Sequence, residues 1–159
     1  MTPITYDLLN RLPKVELHCH LDGCLRPQSM LEVADQDGIS LPLNNVAELD
    51  SFLRIGKKRG TLEDYLKRFD ITLSVMQTPE SLTRFAYELI EDVARENVRY
   101  LEVRYSPILH TKHGMTLEEA VESVLLGLKN GEKDFGVKSG IIVCGIRSIS
   151  PAISLKLAD

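Results

Sequence analysis

The sequence predicts an α/β protein built as the first three βα units of a (β/α)8 TIM-type barrel, ending after the third strand. Three observations carry that expectation. Strand-like segments recur at Val15–Leu21, Val98–Ser106 and Gly140–Arg147, each rich in β-branched or aromatic residues and bounded by Gly, Pro or Ser. Helical periodicity fills the gaps between them, and strands alternating with helices make parallel sheets with right-handed crossovers. The 159 residues fall well short of the roughly 250 that a full barrel takes.

The elements follow in order. After the first strand, helical pieces around Gln28–Asp35, Val46–Leu53 and Leu62–Val75 fill a crossover that needs only one helix. The surplus, about residues 25–78, is expected to cover one end of the sheet as a lid. Thr78-Pro79 then opens a helix whose apolar stripe is Leu82, Phe85, Ala86, Leu89, Ile90 and Val93, closing near Asn97. Thr116-Leu117-Glu118-Glu119 forms a capping box ahead of Ala120, Val121, Val124, Leu125 and Leu128, with Gly136 as terminator. A last helix starts at Ser150-Pro151. Residues 1–159 thus read as the N-terminal portion of one barrel domain.

Composition narrows the function classes. With 43% apolar residues the chain can bury a core. Nineteen basic against 23 acidic side chains give a net charge of -4, so a nucleic-acid partner is not expected. No apolar run approaches the roughly 20 residues that span a bilayer, and Met1–Leu12 lacks a signal-peptide core. A membrane role is not expected, and the expected compartment is the cytoplasm. Cys19, Cys24 and Cys144 make neither an even disulfide framework nor a C-x-x-C pair, and read as small buried apolar residues.

The chemistry concentrates in the first strand. Residues two apart share a strand face, so Glu16, His18, His20 and Asp22 point one way and Val15, Leu17, Cys19 and Leu21 the other. In a β/α architecture the apolar side would meet the helices and the polar side the sheet's inner face, near the strand end where active sites form. Two imidazoles so placed can reach one metal ion, and neutral ring nitrogens suit zinc. On the residues alone, a hydrogen-bonded His pair in a polar barrel interior and a simple Asp-Gly turn stand beside that reading.

Taken together, Leu12-Pro13-Lys14-Val15-Glu16-Leu17-His18-Cys19-His20-Leu21-Asp22-Gly23 resembles the opening strand of the adenosine deaminase family, in the metal-dependent amidohydrolase superfamily. The likeness runs from about residue 12 to residue 150. Thr61-Leu62-Glu63-Asp64-Tyr65-Leu66-Lys67-Arg68-Phe69 resembles the family's lid helix, Leu101-Glu102-Val103-Arg104-Tyr105-Ser106-Pro107 its second strand, and Gly127–Gly136 the helix before its third. The resemblance implies zinc as cofactor, with His18 and His20 as two of its ligands. It implies that Asp22 hydrogen-bonds the ribose of a small purine nucleoside, and that Leu62, Tyr65, Leu66 and Phe69 form an apolar wall over the purine. The implied reaction is hydrolytic deamination of adenosine to inosine and ammonia. The family's remaining metal ligand, its proton-donating Glu and its water-activating residues lie on later strands and have no match here, so no catalytic residue is assigned.

Related adenine-specific enzymes carry Glu where Asp22 stands, and AMP-specific ones differ after the second His. A nucleoside is therefore favoured over adenine or a modified AMP. A shortened non-catalytic module is the further alternative. The cytidine-type deaminase signatures H-x-E and P-C-x-x-C are absent from the sequence. Glu102, Arg104 and Arg147 are expected to form ion pairs, with Glu16 as a partner, and His110 and His113 to lie in a solvated loop.

Overall fold

The computed structural model describes residues 3–54 and 62–158, with side chains for all of these except 62–66. Three parallel strands, β1 (Lys14–His20), β2 (Val98–Tyr105) and β3 (Lys138–Val143), form one sheet in the order β1-β2-β3. Around it lie α1 (Tyr6–Arg11), α2 (Pro27–Gln36), α3 (Val46–Leu53), α4 (Leu62–Ser74), α5 (Pro79–Arg95), α6 (Leu117–Phe135) and α7 (Pro151–Lys156). The three expected pieces of the long crossover are α2, α3 and α4. Helix α1, which Thr5 caps by accepting from the Leu8 N–H, had no counterpart in the sequence reading.

Both crossover helices form for the reasons their sequences state. Thr78 and Ser81 make a reciprocal capping box at the start of α5, and Thr116 and Glu119 another at α6. Helix α6 stops at Gly136, whose φ of 71° is left-handed and suited to Gly. Asn97, at φ 60°, turns the chain from α5 into β2. The buried face of α5 is Leu82, Phe85, Ala86, Leu89 and Ile90, and that of α6 includes Ala120, Val124 and Leu128. Both pack on Leu101, Val103 and Tyr105, the period-2 buried residues of β2.

The two helices meet most closely at glycines. A Cβ on Gly127 would lie 2.2 Å from the Thr83 carbonyl oxygen and 2.8 Å from the Ala86 Cβ. One on Gly131 would lie 2.6 Å from the Ile90 Cβ. Alanine normally gains about 1 kcal/mol over Gly in a helix. Here the obstruction is backbone, so overpacking of about 1–3 kcal/mol should win. Gly127→Ala is expected to lower the denaturation midpoint in urea, whereas an unchanged or raised midpoint would show that α5 and α6 separate without loss.

Ion pairs fasten α2 to α5. Arg26, the residue preceding α2, grips both carboxylate oxygens of Asp92 at 2.9 and 2.6 Å and reaches Glu91 at 2.7 Å. Arg84 bridges Glu88, at 2.8 Å, and Glu32, while the Ser29 hydroxyl donates to Glu88 at 2.8 Å. Bidentate guanidinium contacts of this kind fix orientation. They seat α2 on α5.

Two expectations about the strands change. Strand three ends at Val143, so Arg147 lies beyond it and is exposed. On β1 the apolar side is only half covered: Leu21 is buried and Cys19 half-buried, but Val15 and Leu17 stay 60% and 54% exposed. The reason is position. β1 is an edge strand, and the crossover helices pack over β2, β3 and the turn after β1.

Candidate active site

The C-terminal end of β1 sets the site. His18 and His20 project from one face, their ring centroids 5.4 Å apart and 30° from parallel. The chain then enters a single 3-10 turn, Leu21–Gly23, closed by the Cys24 N–H donating to the Leu21 carbonyl at 3.2 Å. Leu21, 1% exposed, anchors the turn in the core, and this fixes Asp22 beside the imidazoles.

Asp22 is itself 8% exposed, with its Oδ1 3.8 Å from His20 Nδ1. That Oδ1 is buried and has no hydrogen-bond partner among the described residues. Buried carboxylate oxygens are ordinarily paired, so this acceptor is open to a donor from a ligand. Burial pushes the Asp22 carboxyl above the usual range, opposed by the nearby His20.

Asp22 also lines a cavity of about 130 Å³ with Gly23, Leu25, Leu53, Arg68, Phe69 and Thr72. The structure thus brings together Asp22 and Phe69, two of the sequence-predicted site residues. The side chains of Leu62, Tyr65 and Leu66 lie outside those described, although their backbone belongs to α4. Leu25, Leu53, Arg68 and Thr72 were missed. For Thr72 a signal existed, since it follows Phe69 by three residues on α4 and so shares its face. Arg68 sits with its guanidinium 5.6 Å from the centre of the Phe52 ring, a cation–π contact that joins α4 to α3.

A larger depression of about 870 Å³ lies between α5 and α6. Its walls include Glu80, Arg84, Glu119, Glu122, Lys133 and Asp134, and no residue of the β1 end reaches it. A wide charged groove of this kind is a solvated helix surface.

The polar face of the sheet is wired by hydrogen bonds in place of the expected ion pairs. Arg104, in register with His20, donates to the Leu17 carbonyl at 3.3 Å. Glu102 accepts from the Tyr100 hydroxyl at 3.2 Å, and Glu16 from the His18 N–H at 2.8 Å. Among the described residues no ion pair joins Glu16, Glu102, Arg104 or Arg147. Their charges sit on a half-exposed face, where the incentive to pair is small.

His110 overturns the expectation of a solvated loop. It ends a 3-10 turn, Pro107–His110, is fully buried, and places Nδ1 2.8 Å from the Met76 carbonyl. Burial holds its pKa below the ordinary value, with Lys112 adding in the same direction and the Met76 bond opposing. His113 is exposed, as expected.

Two imidazoles on one strand face fit part of a zinc donor set, since catalytic zinc takes three protein ligands and leaves a position open. Among the described residues no group of three or more His, Cys, Asp or Glu is placed to hold a metal. The pair at the β1 end is therefore a partial set.

Parallel βα units with two imidazoles at a C-terminal strand end, backed by a carboxylate, have the form of the metal-dependent amidohydrolases. The chain belongs to the adenosine deaminase family, whose profile, described as adenosine deaminase, matches residues 13–159. It is 47% identical over 139 residues to an adenosine deaminase of Clostridium botulinum strain Hall, a match that covers 87% of this chain and 42% of that protein. The chain thus spans less than half the length of that relative.

Among solved structures it is similar to the adenine deaminase of Arthrobacter aurescens, with TM-score 0.79 and 30% identity over 91% of this chain and 43% of that one. It is also similar to an amidohydrolase from Burkholderia ambifaria with bound zinc, with TM-score 0.80 and 28% identity over 98% of this chain and 42% of the other. No helix among the described residues is long and apolar enough to cross a membrane.

Proposed function

We propose that the complete gene product carrying this chain is a zinc-dependent hydrolase that converts adenosine and deoxyadenosine to inosine or deoxyinosine and ammonia. The observation that carries the reading is the β1 end, where stacked His18 and His20 stand beside a buried Asp22 whose Oδ1 lacks a partner among the described residues. Zinc bound there would polarise water and lower its pKa towards about 7, so that hydroxide is available at neutral pH.

In this reading His18 and His20 each offer a ring nitrogen to the metal, and His20 also borders the substrate. Asp22 accepts a hydrogen bond from the ribose and so orients the nucleoside. Phe69, with Leu62, Tyr65 and Leu66 on the same helix, closes an apolar wall over the purine and excludes water. Residues 25–78 act as the lid that carries this wall, and the barrel is completed beyond β3. The support is the family membership together with the shared cavity of Asp22 and Phe69.

Adenine is the second reading, favoured by the likeness to the Arthrobacter adenine deaminase. The two readings differ at Asp22, because adenine has no ribose to contact. An ultraviolet absorbance assay of the complete gene product should show turnover of adenosine and deoxyadenosine well above adenine. Asp22→Asn is expected to weaken transition-state binding of adenosine by about 1–3 kcal/mol while zinc stays bound, since a charge-assisted bond is reduced to a neutral one. Unchanged kcat and KM for adenosine in that variant would remove the ribose contact, and faster turnover of adenine than of adenosine would select the second reading.

A further inference from the structure

Cys19 and Cys24 flank His20 and the turn that carries Asp22, and their sulfurs lie 3.4 Å apart. All three cysteines of the chain are free thiols. Cys19 is held in the β1–β2 ladder opposite Val103, and Cys24 closes the 3-10 turn through its N–H. Both are half-buried, at the margin of the core. Cys144, beyond the end of β3, instead directs its thiol to the Ile142 carbonyl at 3.7 Å.

We propose that Cys19 and Cys24 are a redox-sensitive modification site, closing to a reversible disulfide that displaces Asp22. The oxidant is a low-molecular-weight disulfide such as oxidised glutathione. One protein sulfur attacks it and expels the first small thiol; the second protein sulfur then attacks the mixed disulfide and expels the other. Two protein S–H bonds are lost, one S–S bond forms, and the oxidant leaves as two thiols. A bond of about 2.05 Å requires the sulfurs to close from 3.4 Å, within a ring that spans only residues 19–24. Strand pairing holds the Cys19 backbone, so whatever approach side-chain rotation does not supply falls to the turn bearing Asp22. Displacements of about 1 Å at such groups cost on the order of 100-fold in rate. Formation of the bond is independent of the deaminase reading, whereas its effect on turnover rests on that reading.

The complete gene product would be treated with oxidised glutathione, alkylated with iodoacetamide and cleaved with trypsin. Cleavage after Lys14 releases Cys19 and Cys24 in one peptide. The expected result is a peptide lacking two hydrogens and taking up no alkyl group, with adenosine turnover reduced at least tenfold. A phosphine reductant should restore both thiols and turnover, and Cys24→Ser should keep its turnover through the oxidant treatment. Glutathione retained on either cysteine, or alkylation of both, would overturn the disulfide while leaving the deaminase reading untouched. A bridge formed with turnover unchanged would overturn its coupling to the site.

Discussion

Replacing His18 and His20 together with Ala is expected to strip the complete gene product of retained zinc and of measurable deaminase turnover. The two rings share one strand face at 5.4 Å between centroids, and the proposed function makes them neighbouring donors to one ion. Taking two of about three protein ligands from a catalytic zinc leaves too few to hold it against dialysis. Because the members of a catalytic set act as a unit, the loss in kcat should be several orders of magnitude, on the order of 10³-fold or more. The fold should survive, since both residues are exposed and neither side chain belongs to the core. Zinc measured by plasma emission spectrometry and the far-ultraviolet circular dichroism spectrum together separate these effects. Wild-type zinc content in the double variant would show that the metal is held elsewhere.

The parts of this architecture legible in the sequence are those dictated by local chemistry. Helices α5 and α6 announced themselves through Thr-initiated caps and apolar stripes at three- and four-residue spacing, and the buried faces follow those stripes. The period-2 alternation put His18 and His20 on one strand face without any tertiary information, and their rings do stack. What depended on tertiary neighbours was less legible. Nothing local distinguishes the buried His110 from the exposed His113, because the burial of His110 comes from the Met76 carbonyl and the Tyr105 ring. Val15 and Leu17 are apolar and alternate as a covered strand face should, yet no described helix lies over them. The approach of Cys19 to Cys24 arises because one 3-10 turn reverses the chain between them, which the separation in sequence does not reveal. Arg68 joins the Asp22 cavity through α4.

The 159-residue chain, purified by itself, is expected to show no conversion of adenosine to inosine above background with zinc added. The reason lies in what the described residues assemble. In the proposed reading His18 and His20 are two metal ligands, and among the described residues no third His, Cys, Asp or Glu is placed to complete a site with them. Asp22, as the proposed ribose contact, offers no route for a proton to the purine ring, and among the described residues no other carboxylate lines its cavity. A general acid or base normally contributes about 10²- to 10⁴-fold, and an incomplete metal shell forfeits the supply of hydroxide as well. The free edges of β1 and β3 add a physical hazard. Each strand pairs on one side only, and β1 presents the exposed Val15 and Leu17 beside its unpaired backbone. Edges of that kind template association between chains, so the isolated chain should elute from gel filtration as mixed oligomers and retain zinc weakly. The decisive measurement is the fall in absorbance as adenosine is consumed, run at several chain concentrations. Zinc-dependent turnover that rises linearly with concentration would show that one chain completes the site from residues 1–159. A steeper rise would instead mean that two copies complete it together across those strand edges.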